Sequence, residues 1–152
     1  MCLGKPVSER QLSRIKKEAQ KRGYIRIYKV VGVKTDHFHP PLMPGPSYYK
    51  YGVQKAVNFN SILLQEDAGW HGFRNKKSAE QWIDLSEVTI ECLAKPEWII
   101  DAGIYKTPLC FPMSKSMPAM ETIRLTRLCF PKFPKTKVTV REFRKLCKSK
   151  NI

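Results

Sequence analysis

Apolar positions near the start of the chain follow a helical period. Leu12, Ile15 and Ala19 fall within about 60° on a 3.6-residue wheel, one narrow stripe. Ser8 stands where an N-cap belongs, Gln11 completes a Ser-x-x-Gln capping box, and Val7 can staple to Leu12. Gly23 supplies the stop, because helices readily end on a residue with positive φ. The end of the chain repeats this grammar. Val140, Phe143, Leu146 and Cys147 share a face, Thr139 and Glu142 form a second capping box, and Val138 can staple to Phe143. A short middle helix is predicted from Asn75, as cap, through Ala79, Trp82 and Ile83.

Between these helices the period drops to two. Tyr24-Ile-Arg-Ile-Tyr-Lys-Val-Val alternates its aliphatic and polar positions, as do Glu87-Val-Thr-Ile-Glu-Cys-Leu and the run from Glu121 to Phe130. Ser61-Ile-Leu-Leu and Trp98-Ile-Ile add two short candidate strands. The predicted class is α+β: a small, mostly antiparallel sheet with a basic N-terminal helix, a short middle helix and a basic C-terminal helix. At 152 residues this is one domain over 1–152, with the basic segment 131–152 a candidate semi-independent extension. Residues 37–46 hold four prolines, and 105–119 holds Pro108, Pro112 and Pro118, so both stretches read as long stiff loops.

Charge changes the picture more than composition does. The net charge of +15 is unevenly placed: residues 1–34 carry ten cations and two acids, residues 115–152 eleven cations and two acids. The middle has seven cations against nine acids. On the first helix Arg10, Arg14, Lys17 and Lys21 lie opposite the apolar stripe. On the last, Arg141, Arg144, Lys145 and Lys148 do the same, behind a proline-stiffened linker bearing Lys132, Lys135 and Lys137. A solvated face is the plainer account, but self-supporting helices usually mix signs, and these cationic faces carry no interleaved Glu. Such a surface attracts anionic partners, of which nucleic acid is the commonest. The expected function is therefore nucleic-acid binding (DNA or RNA), largely sequence-independent and through the backbone, with an acidic protein as the alternative partner.

Aromatic residues interleave with cations in three places: Tyr24-Arg26-Tyr28-Lys29, Tyr48-Tyr49-Lys50-Tyr51 and Phe130-Lys132-Phe133-Lys135. Exposed rings beside cations can stack bases while the cations follow phosphates. Tyr48 and Tyr49 are the candidates for exposure, since their loop is too polar and proline-bound to bury every ring. No RNA-recognition, KH, helix-turn-helix or zinc-finger signature is present.

Catalytic chemistry has thinner support. Cys2 could act as an N-terminal nucleophile if Met1 were removed, with its α-amine as base, and His71 could assist. An ordinary second residue and a packed histidine are the plainer accounts, so an enzyme is the lesser alternative. His37, His39 and His71 could supply imidazoles to a metal, but nothing in the sequence brings His71 to the pair, and no metal or other cofactor is expected. The five cysteines lack any C-x-x-C pair and are expected to be reduced thiols, with Cys92 and Cys129 in the core. Gly69 to Asn75 forms a tight turn into the short helix and matches no P-loop or dinucleotide fingerprint. No apolar run is long enough for a membrane span and no secretory signal opens the chain, so a cytoplasmic protein with no membrane partner is expected.

Several short motifs together resemble small uncharacterised phage-encoded proteins. These are Met1-Cys2, Ile-Arg-Ile-Tyr-Lys-Val-Val at 25–31, the proline-rich segment leading to Tyr49-x-x-Gly52, and Trp70-His-Gly-Phe-Arg74 followed by Ala79. The resemblance spans roughly residues 1–105 and leaves out the basic C-terminal region. Arg74 stands where those proteins usually carry a histidine. The resemblance implies a viral protein acting in the host cytoplasm, in host takeover or anti-defence by docking on a host protein, and implies no particular activity.

Overall fold

The computed structural model describes residues 5–40, 48–56, 69–81, 87–105 and 120–152. Cys2, Cys110, the candidate strand at 61–64, Trp82, Ile83 and most of both proline-rich loops lie outside these residues.

Helix α1 (Glu9–Arg22) begins and ends where its caps require. The Ser8 hydroxyl accepts from the Gln11 amide at 3.2 Å, and Gly23, at φ 81°, donates its N–H to the Ala19 carbonyl. Only half of the expected capping box forms. The Gln11 side chain turns away from Ser8 and donates to Glu121 at 3.4 Å, a partner 110 residues distant that local sequence cannot show. Helix α2 (Lys76–Glu80) starts after Asn75, whose side chain accepts from the Lys77 amide. Helix α3 (Val140–Ser149) has the complete box, with Thr139 and Glu142 each satisfying the other's backbone N–H.

The sheet runs β1 (Lys5–Pro6), β7 (Ile99–Tyr105), β8 (Met120–Leu125), β5 (Trp70–Phe73), β2 (Ile25–Val33), β6 (Glu87–Ala94), β9 (Arg127–Phe130) and β4 (Gly52–Lys55), with β3 (Phe38–His39) also on β2. Every pairing between these strands is antiparallel. The longest ladder joins β2 to β6, from Ile25 opposite Ala94 to Gly32 opposite Glu87.

The run expected as one strand from Glu121 to Phe130 is broken at Thr126. There the backbone N–H leaves the ladder to donate to the Trp98 carbonyl at 2.9 Å, and the Thr126 carbonyl accepts from Ala56. β8 therefore pairs with β5 and β7, while β9, one residue later, pairs with β4 and β6. One length of backbone thus holds both ends of the path β8-β5-β2-β6-β9 and curls the sheet back on itself. Trp98, expected to open a strand, instead lies in a 3-10 turn, Pro96–Trp98, that delivers the chain to β7.

Alternation decides what each face buries. Ile25, Ile27 and Val31 of β2 enter the main core with Ile90, Cys92, Leu93, Ile123, Leu125, Leu128 and Phe130. Ile15 and Ala19 of α1 join this core, and so do Val138, Phe143 and Cys147 from the basic C-terminal segment. On the other face Phe73, Ala79 and Met120 form a second cluster with Tyr28 and Val30 packed against it. No described helix is long and apolar enough to cross a membrane.

Candidate nucleic-acid interface

The two terminal helices are placed by their apolar stripes. Ile15 and Ala19 on one, and Phe143 and Cys147 on the other, are buried in the same core. Both helices also meet the Pro96–Trp98 turn: α1 packs against it, and the Phe143 ring stands edge-on to Trp98 at 5.9 Å. The cationic residues lie opposite these stripes. Arg10, Arg14, Lys17 and Lys21 are exposed, and so are Arg141, Arg144, Lys145 and Lys148. Among the described residues only Arg14 of the eight has a carboxylate within salt-bridge distance, Glu18 at 3.6 Å. Lys132, Lys135 and Lys137 on the approach to α3 are exposed as well.

The aromatic partners are distributed differently from the expectation. Tyr48 is half exposed (50%), with the Lys50 ammonium 5.8 Å from its ring centroid and the His37 ring 5.5 Å away. Tyr49 is no exposed platform. Its ring stacks on Phe130 at 4.7 Å with the planes 13° apart, and Trp70 closes edge-on at 5.8 Å. Burial accordingly raises the Tyr49 phenol well above its usual range. Phe130 is buried and Phe133 packs edge-on against Phe38, so neither ring beside the C-terminal lysines is free for stacking. Their β-strand and turn neighbours take them inward, which the local charge pattern conceals. Tyr51 is exposed, but its hydroxyl donates to Glu142 in the α3 cap, a bond that pushes its phenol up to about 12.

Sequence reasoning singled out Tyr24, Arg26 and Tyr28 for their alternation but not the groove they line. Ile15, Glu18, Ala19 and Arg22 of α1 form one wall of a cavity of about 210 Å³, and Tyr24, Ile25, Arg26 and Tyr28 form the other, with Arg74 beside them. Arg26 lies 5.1 Å from the Tyr24 ring centroid and is held by Glu91 at 2.8 Å. Arg74 joins Glu18 to Glu121, the latter at 3.1 Å, and so ties α1 to β8. The guanidinium beside Glu18 holds that carboxyl below its ordinary range. The arginine that departs from the phage-type pattern is thus an ion-pair hub between helix and sheet.

His71 lies buried on β5, away from His37 and His39, whose rings are 6.3 Å apart at the start of the first proline-rich stretch. No group of three or more His, Cys, Asp or Glu side chains disposed to hold a metal occurs among the described residues. Cys92, Cys129 and Cys147 are free and buried, and burial pushes the Cys129 thiol up to about 12. Such thiols are protonated and unreactive at neutral pH. One cation of the interleaved Tyr24-Arg26-Tyr28-Lys29 group turns inward rather than to solvent. Lys29 points from β2 into the main core, donating to the His71 carbonyl with its ammonium 5.9 Å from the ring centroids of both Tyr49 and Trp70. Burial pushes its pKa down to about 8. No protein family, curated protein or solved structure matches the chain.

Proposed function

We propose that the protein binds nucleic acid through the outer faces of α1 and α3, mainly by contacts to phosphates and with little sequence preference. The observation that carries this reading is the set of exposed, uncompensated cations on two helices that meet at one turn: seven of the eight lack a carboxylate within salt-bridge distance among the described residues. Unpaired cations on one face repel each other, and a polyanion relieves that repulsion while releasing its own condensed counterions. The half-exposed Tyr48 beside Lys50 adds one site where a base can stack.

A salt titration tests the reading. The observed association constant for DNA or RNA falls steeply with salt, with a slope of about −0.7 to −0.9 per phosphate contacted, depending on strandedness. Binding weaker than micromolar even at low salt overturns it. The same unpaired cations also suit an acidic host protein, as the phage resemblance implies, and nuclease treatment separates the two. Partners captured from lysate disappear after treatment if nucleic acid is the ligand and survive if the ligand is protein.

A further inference from the structure

The α1–β2 groove lies beside the cationic face of α1 and differs from it in kind. The helix face offers charge alone. The groove offers two tyrosines, the apolar side chains of Ile15, Ala19 and Ile25, and three guanidiniums, of which Arg26 is paired with Glu91 and Arg74 with Glu121 and the groove's own Glu18. Its volume of about 210 Å³ is smaller than the ~300–1,000 Å³ of pockets that take drug-sized ligands, so it suits a single planar ring rather than an extended molecule. The aromatic wall is also ordered before any ligand arrives. Arg26 is fixed by Glu91 and sits against the Tyr24 ring, so little side-chain entropy remains to be lost on binding. Arg22 is exposed and has no carboxylate within salt-bridge distance among the described residues, which leaves its guanidinium available for a phosphate.

We infer that this groove seats one unstacked base of a single strand, on or beside Tyr24, while Arg22 and the α1 cations hold the flanking phosphates. The inference rests on the nucleic-acid reading above and deepens it, because it selects single-stranded over double-stranded ligands. A duplex keeps its bases stacked and paired, and presents only backbone to a groove of this size. A single strand can turn a base out at little cost, and every base has a face to stack.

The test uses the full chain, with fluorescence anisotropy against a labelled oligothymidylate and a hairpin duplex of equal phosphate count. The single strand binds tighter than the duplex. Tyr24→Leu, which keeps apolar bulk and removes the ring, weakens single-strand binding by about 5- to 100-fold and changes duplex binding less than about twofold. Arg22→Gln, at an exposed position, lowers the single-strand salt slope by about 0.7 and leaves the duplex slope unchanged. Photocrosslinking of an iodouridine-containing strand to the unaltered protein places the adduct on the peptide containing Tyr24, whatever the stability of the variants. Equal weakening of both ligands by Tyr24→Leu, or an adduct confined to α3, overturns the inference and leaves general backbone binding standing. Absence of binding by either ligand at low salt overturns both.

Discussion

Arg26, Arg74 and Arg124, on or beside the sheet, each reach a carboxylate oxygen at 3.1 Å or less, whereas seven of the eight cations on the outer faces of α1 and α3 reach none among the described residues. The side chains are of similar type and the total charge is high in both places. What differs is the duty. Arg124 on β8 grips its cross-strand neighbour Asp101 on β7 through two parallel bonds, Nε to Oδ1 at 2.9 Å and Nη2 to Oδ2 at 2.7 Å. Arg74 crosses from α2's leading turn to α1 and β8. These guanidiniums lose water on folding and need a partner to offset the loss. The helix cations stay in water, keep their charge uncompensated and contribute a field rather than a contact. Among these arginines and helix cations, pairing goes with a place in the fold and its absence with an exposed helix face.

The comparison breaks most visibly under charge reversal. Changing Arg141, Arg144, Lys145 and Lys148 together to Glu lowers nucleic-acid affinity by about 100-fold or more at moderate salt and reduces the salt slope by about three units. Reversing Arg10, Arg14, Lys17 and Lys21 costs less, for two reasons: Arg14 is already shared with Glu18, and α3 is flanked by three further exposed lysines. Thermal melts of both variants stay close to that of the unaltered protein. A melt lowered as far as the affinity would assign these cations to the fold.

Arg124→Met tests the paired class and moves the opposite quantity. It strands the Asp101 carboxylate, half-buried at 30% exposure, and costs about 2 kcal/mol in urea unfolding, within the usual range for hydrogen bonds to charged groups. Affinity per folded molecule is unaltered.

Lys29 sharpens the comparison because it is neither exposed nor paired with a carboxylate among the described residues. Its folded pKa of about 8 lies below the ordinary 10.5, so the unfolded chain binds more protons throughout that interval. The burial penalty is full below pH 8 and is relieved as pH rises, so the contribution of Lys29 to stability increases by about 1 kcal/mol from pH 8 to 9. The raised thiols oppose this gain over the same interval and the raised phenols at higher pH, since their folded forms retain protons that the unfolded chain releases. Denaturant titrations at pH 8 and 9 isolate the Lys29 contribution as a difference: the stability of the unaltered protein relative to Lys29→Met rises by about 1 kcal/mol between them. The smallest expected effect belongs to a single helix cation: Lys145→Ala changes stability by less than about 0.5 kcal/mol.

Local pattern determined the helices because their signals are short-range. Ser8, Gly23, Asn75 and Thr139 act within a few residues, and an apolar stripe needs only a 3.6-residue period to declare itself. The alternation of β2 and β6 likewise located two strands. Charge along the chain marked the two cationic helix faces, and those residues are exposed as expected. Tertiary structure alone decided the rest, because the deciding partners are remote in sequence. Gln11 leaves its local cap for Glu121, and Thr126 interrupts a strand to satisfy Trp98. Tyr49 and Phe130 turn inward onto each other although lysines stand beside them in sequence. Strand alternation already sends Lys29 to the same side as Ile27 and Val31, but only the fold brings the His71 carbonyl and two aromatic rings to its ammonium. A period along the chain tells which residues share a face. It does not tell what the other side of the fold will bring against that face.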